Sequence, residues 1–133
     1  MEKLSTIQKR NNLNEIYRMD APGVGGACHR YVVVKVGAQL SEKVAGYRDF
    51  EEHDVVGEIC FQHGPRKEFE SMHGVLDGDL LEIVRDRLKA FNQGAYATRE
   101  NACAITHIEE ALMWLNKRAE DRAERGVLGT AQK

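Results

Sequence analysis

The side chains best suited to recognition chemistry lie in one run, Thr98 to Arg125, TRENACAITHIEEALMWLNKRAEDRAER. Projected at 100° per residue as a helix, Ile105, Ile108, Leu112, Leu115 and Ala119 fall on one stripe, and Asn101 projects into its middle. Two readings of Asn101 stand. In the first turn of a helix it can meet solvent or cap backbone. Held against an apolar stripe, its amide can pair with the N6/N7 edge of an adenine through two hydrogen bonds. Arg118, Arg122 and Arg125 follow at four- and three-residue spacing along the stripe's edge. They are either a solvated helix end, suited to the helix dipole and to pairing with Glu120, Asp121 and Glu124, or a clamp whose guanidinium forks match phosphate oxygens. A second face carries Arg99, Thr106 and Met113, with Lys117 nearby, and a third carries Cys103, His107 and Trp114. Met113 and Trp114 lie off the packing stripe. They point to further subunits, or in the case of Trp114 to packing on a preceding domain.

Other candidate groups fall short of a site. Cys28-His29 and Cys60-x-x-His63 could together supply four zinc ligands, but neither has the paired half-site spacing of structural zinc, so no metal is expected. Gly23-Val24-Gly25-Gly26 precedes a β-rich run and lacks a following G-K-[ST], so it is not a phosphate loop of the Walker type. There is no G-x-S-x-G, no H-E-x-x-H and no nucleophile with an orienting base. Glu109 and Glu110 point to adjacent faces and read as solvated. The expectation is a protein that is not an enzyme and takes no cofactor.

The elements that must position these groups are legible in outline. The run from Thr98 to Arg125 is free of Gly and Pro and reads as one helix of about 42 Å. Leu80, Val84, Leu88 and Phe91 recur at helical spacing before it, with Asp77 or Asp79 as a cap and Asn92-Gln93-Gly94 as a stop. The two make an αα-hairpin. Upstream, Arg30–Val36 and Val55–Gln62 read as strands that can pair antiparallel. Two strands alone are marginal, so at least one more strand or a partner subunit is expected. Ala38 to Asp54 reads as a loop or a short helix. The fold class is α+β: a polar N-terminal arm over 1–19, disordered or a short helix; a small antiparallel β domain with a Gly-rich loop over 20–76; and a helical hairpin domain with one long helix over 77–133.

The bulk numbers exclude several classes. The net charge of −2 and a pI near 6.2 argue against a binder of nucleic-acid polymers or anionic membranes. No apolar run approaches the roughly 18 residues of a membrane span, and the N-terminus carries no apolar signal segment. Three widely spaced cysteines imply no disulfide framework and a reducing compartment.

Three segments resemble one phage family: Asp20–Val36 (DAPGVGGACHRYVVVKV), Phe61–Glu68 (FQHGPRKE) and Arg99–Thr130. The most specific part is R-E-N-A-x-A-I-T-x-x-E-E-A-L-M-W-L followed by R-G-V-x-G-T. The chain is similar to the anti-Thoeris sponges, which share a helical-hairpin domain with anti-CBASS sponges. The resemblance implies a protein that sequesters a signalling nucleotide of bacterial immunity without cleaving it, in the cytoplasm of the infected host. The two-part members take glycocyclic ADP-ribose. Some relatives also bind cyclic trinucleotides at a separate site, and those relatives are hexamers. By the same resemblance, Phe91 stacks on adenine, Asn101 bonds its edge, and Arg66, Arg118 and Arg122 grip the pyrophosphate and riboses. The Arg99/Thr106 face is the candidate second nucleotide site. The sequence departs from the family's G-P-I-K-E, since Arg66 stands at the Ile position, and Met72-His73-Gly74 replaces a Val-Asn-Gly turn. The competing reading is a non-enzymatic scaffold in which the hairpin serves only to build a homo-oligomer, a dimer or a hexamer.

Overall fold

The computed structural model describes residues 1–65, 67 and 71–130. The chain divides into two units, Met1–Phe61 and Gln62–Lys133.

The N-terminal unit is a four-stranded antiparallel sheet with a two-stranded ribbon. Its strands are β1 (Glu2–Lys3), β2 (Asn14–Arg18), β3 (Arg30–Lys35), β4 (Leu40–Val44), β5 (Tyr47–Phe50) and β6 (Val55–Cys60). The sheet order is β1-β2-β3-β6, and β4 pairs with β5. The run RYVVVK forms the central strand, as its β-branched residues require, and the further strands expected beside it are present. Val32 and Val34 are 1% and 0% exposed, so this alternating face is the one that the unit buries. Tyr17 sits opposite Val32, and its ring centroid lies 4.8 Å from that of Phe50. Met19 and Phe50 complete the cluster.

Two segments differ from the sequence reading. Residues 14–18 form a strand and not a disordered or helical arm, because Tyr17 packs into the core and the backbone pairs with β3. Ala38–Asp54 is mostly a β-ribbon, whose pairing joins neighbouring residues across a turn at Gly46. Arg30 anchors the ribbon to the sheet through Asp49 at 3.2 Å and Glu58 at 2.7 Å.

The C-terminal unit is the helical hairpin. Helix α1 spans Asp77–Asn92 and helix α2 spans Arg99–Glu124. The Asp79 carboxylate accepts from the Leu76 amide at 2.8 Å at the start of α1. The Thr98 hydroxyl accepts from the Asn101 amide at 3.0 Å at the start of α2. Before α1, His63 and Met72 exchange backbone hydrogen bonds of 2.9 and 2.7 Å. After α2 the chain turns sharply. Gly126 amide donates to Ala123 carbonyl and Val127 amide to Arg122 carbonyl, a Schellman arrangement that needs the positive φ of 73° at Gly126.

Among the described residues, neither helix buries an apolar side chain below the level of a core residue; only Arg122 and Val127 are buried in this unit. Trp114 is 72% exposed, Met113 63% and Ile83 58%. Leu80, Leu88, Ile105, Ile108 and Leu112 are half-buried, whereas Trp114, Met113 and Ile83 leave a second apolar surface open. No helix among the described residues is long and apolar enough to cross a membrane.

Candidate functional site

The hairpin is lopsided. Helix α2 has 26 residues and α1 has 16, so α2 overhangs by about 15 Å at 1.5 Å per residue. Near the start of α1 the helices meet closely: a Cβ on Gly78 would lie 3.8 Å from Leu112 Cδ2. Beyond that crossing, the overhanging end of α2 is met by the segment before α1 and by the chain that follows α2. The result is a groove of about 980 Å³. Its apolar lining includes Leu76, Leu112, Leu115 and Ala119, and Gln62, Pro65, Leu128 and Gly129 also contribute.

Three arginines line the groove, in different states. Arg85 donates from Nε to Glu109 Oε2 at 2.7 Å, bridging the two helices, and also faces Glu82 at 3.5 Å. The hydrogen bond it donates to Glu109 holds the Arg85 guanidinium above its usual range against the opposing effect of burial. Arg122 is 8% exposed and donates to the carbonyls of Val127 at 3.0 Å and Thr130 at 2.9 Å. Arg118 is exposed, and among the described residues it forms no ion pair or hydrogen bond. An arginine left unspent at the wall of a groove is the group best placed to meet a phosphate.

The other sequence candidates lie elsewhere on the hairpin. Phe91 is in the last turn of α1, 44% exposed, with the Arg87 guanidinium over its ring. Asn101 is in the first turn of α2 and half-buried. Its backbone amide is capped by Thr98, and among the described residues its side-chain amide makes no hydrogen bond. The structure therefore brings Phe91 and Asn101 to the corner of the hairpin, and Arg118 and Arg122 to its open end. Seventeen residues separate Asn101 from Arg118, about 25 Å along the helix. Arg66 lies outside the described residues. Arg99 and Thr106 are both exposed on α2, and the Thr106 hydroxyl donates to the Ala102 carbonyl at 3.2 Å.

Sequence reading did not anticipate Arg85, Arg87 or Gln62, and it read Glu109 as solvated, whereas Glu109 pairs with Arg85 across the helices. Arg85 and Glu109 sit 24 positions apart on different helices, so no local spacing announces them. Arg87 could have been found: it stands one turn before Phe91 on the same face. Of the cysteines weighed as metal ligands, Cys28 is buried and donates to the Asp20 carbonyl, and Cys60 is exposed.

Comparison with known proteins adds two findings. The family model described as the Acb2/Tad1 hairpin domain matches residues 53–120. A protein of Bacillus phage SBSphiJ7 described as Thoeris anti-defense 1 is 40% identical over 116 residues, covering 80% of this chain and 81% of that protein.

Proposed function

The chain belongs to the Acb2/Tad1 hairpin family, and on that premise we propose that it is a phage immune-evasion sponge, acting in the cytoplasm of the infected bacterium. It binds a cyclic nucleotide signal, with glycocyclic ADP-ribose as the first candidate, and holds it without cleaving it. The observation that carries this reading is Arg118, a guanidinium without a partner among the described residues, on the wall of a groove of about 980 Å³. A scaffold would need the apolar stripe alone.

Holding without turnover fits the state of the groove's carboxylates. Of the four carboxylates that line the groove, Asp79 is spent on the cap of α1, Glu82 and Glu109 are spent on Arg85, and Asp77 stands exposed in the first turn of α1. Among the described residues that line the groove there is no Ser, Thr, Cys, His or Lys for a general base to activate.

The separation of about 25 Å along α2 bears on assembly. One small cyclic nucleotide cannot touch Asn101 and Arg118 of the same copy. With two copies antiparallel, Phe91 and Asn101 of one reach the groove of the other, where Arg118 waits; Arg66 enters the same proposal as a second grip, and Arg122 enters it as part of the groove wall. The exposed Trp114, Met113 and Ile83 supply apolar surface for such contacts. The base then stacks on Phe91 and bonds Asn101, and the diphosphate meets arginine. Arg99 and Thr106, on the outer face of α2, are the secondary proposal for a cyclic trinucleotide.

Calorimetric titration with a panel of ADP-ribose isomers and cyclic nucleotides tests the reading, alongside the mass of the protein in solution. The expected result is saturable binding of glycocyclic ADP-ribose by an oligomer. A protein that assembles but binds none of the panel is a scaffold.

A further inference from the structure

We propose that Arg122 is a positioning residue: it staples the turn after α2 into place as a wall of the groove, and through that turn holds the backbone at Lys67.

The guanidinium of Arg122 is buried, and one of its nitrogens donates to two backbone carbonyls, Val127 at 3.0 Å and Thr130 at 2.9 Å. The backbone carbonyl of the same residue accepts from the Val127 amide at 2.9 Å. Arg122 thus grips the turn from both its ends. The turn is otherwise tight: the Thr130 hydroxyl donates to the Val127 carbonyl at 2.6 Å, and Gly129 takes a φ of 80° that L side chains avoid. Val127, 7% exposed, is the buried apolar side chain of the turn.

From this turn a backbone bond reaches outward. The Lys67 amide donates to the Gly129 carbonyl at 2.9 Å. Gly129 and Leu128 line the groove on one side of that bond, and Pro65 and Gln62 line it on the other. Breaking the Arg122 staple should therefore loosen both strips of wall together. Arg118, four residues earlier, has the opposite character: exposed, and without a partner among the described residues. The two arginines, one helical turn apart, then divide the work. One meets the ligand, and the other shapes the place where it is met.

The test compares Arg122→Gln, Val127→Gly, the double variant and Arg118→Gln in the full chain, each checked for helix content by circular dichroism. Val127→Gly loosens the turn and leaves the guanidinium intact, which keeps the test open if Arg122→Gln folds poorly. Amide hydrogen exchange needs no ligand. Exchange at Lys67 is expected to quicken roughly tenfold or more in Arg122→Gln and in Val127→Gly, and to stay unchanged in Arg118→Gln. Unchanged exchange at Lys67 in both turn variants overturns the proposal. The binding arm rests on the sponge reading and uses glycocyclic ADP-ribose as probe. Arg122→Gln and Val127→Gly are expected to weaken binding to a similar degree, and the double variant little further. If Arg122→Gln abolishes binding and Val127→Gly leaves it intact, Arg122 contacts the ligand directly and the proposal fails. If the unaltered protein does not bind the probe, the sponge reading fails, and exchange at Lys67 alone decides the role of Arg122.

Discussion

The guanidinium carbon of Arg87 lies 5.6 Å from the centroid of the Phe91 ring, one turn along α1. The cation covers one face of the ring and leaves the other for a stacked base. A base–aromatic stack contributes about 1–3 kcal/mol, and an exposed cation–π contact about 0.5–1 kcal/mol. Phe91→Ala is therefore expected to weaken glycocyclic ADP-ribose binding by about tenfold or more, and Arg87→Ala by only about two- to fivefold. Calorimetry that ranks Arg87→Ala above Phe91→Ala would remove Phe91 as the stacking platform.

Arg118 supplies the charge in this account, so its loss should show in the salt response as well as in affinity. A hydrogen bond to a charged group is worth about 1.5–3 kcal/mol, so Arg118→Ala should cost tenfold or more in affinity. The variant should also be less sensitive than the parent to ionic strength, because a screened attraction has been removed. Equal salt dependence in the two proteins would place the phosphate elsewhere.

Much of this site was legible because it is built from local signals. Asp79 announces the start of α1, and the run free of Gly and Pro up to Arg125 announces the extent of α2. The role of Arg122 was not legible, because its acceptors are backbone carbonyls, which no residue type reveals. The strand Asn14–Arg18 was hidden for a related reason: only Tyr17 packs inward strongly, and its partners Val32 and Phe50 are distant in sequence. The resemblance named Phe91, Asn101 and the arginines together. The length of α2 is what separates them into two groups.

That separation makes a prediction about mixed assemblies. Asn101→Ala and Arg118→Ala proteins should each bind poorly alone. Co-assembled, they should regain binding, because one site of each mixed pair is built from an intact Asn101 and an intact Arg118. Titration of the co-expressed, co-purified pair measures this directly. No recovery would mean that each site draws both residues from one copy, which the length of the helix forbids, or that one of them is not in the site.

The N-terminal unit should respond to acid through Asp20. Its carboxylate is partly buried, which alone would raise its pKa, but it accepts from the amides of Arg30 and His29 at 3.0 Å, and the net effect is a pKa below the ordinary value of 3.8. The folded value lies below the unfolded one. The stabilisation is therefore complete above the ordinary aspartate range and is lost as pH falls through the folded value. Asp20→Asn should lower the thermal midpoint at neutral pH and flatten its decline between about pH 5 and pH 2. An unchanged pH profile in that variant would show that the carboxylate contributes no such term.

The central claim is possession without destruction. Excess protein is incubated with glycocyclic ADP-ribose, small molecules are removed by filtration, the protein is denatured by heat, and the released nucleotide is identified by mass and chromatography. The account predicts that the nucleotide is depleted from the filtrate and returns intact on heating. A nucleotide that stays free in the filtrate, or returns as an opened or cleaved product, contradicts it.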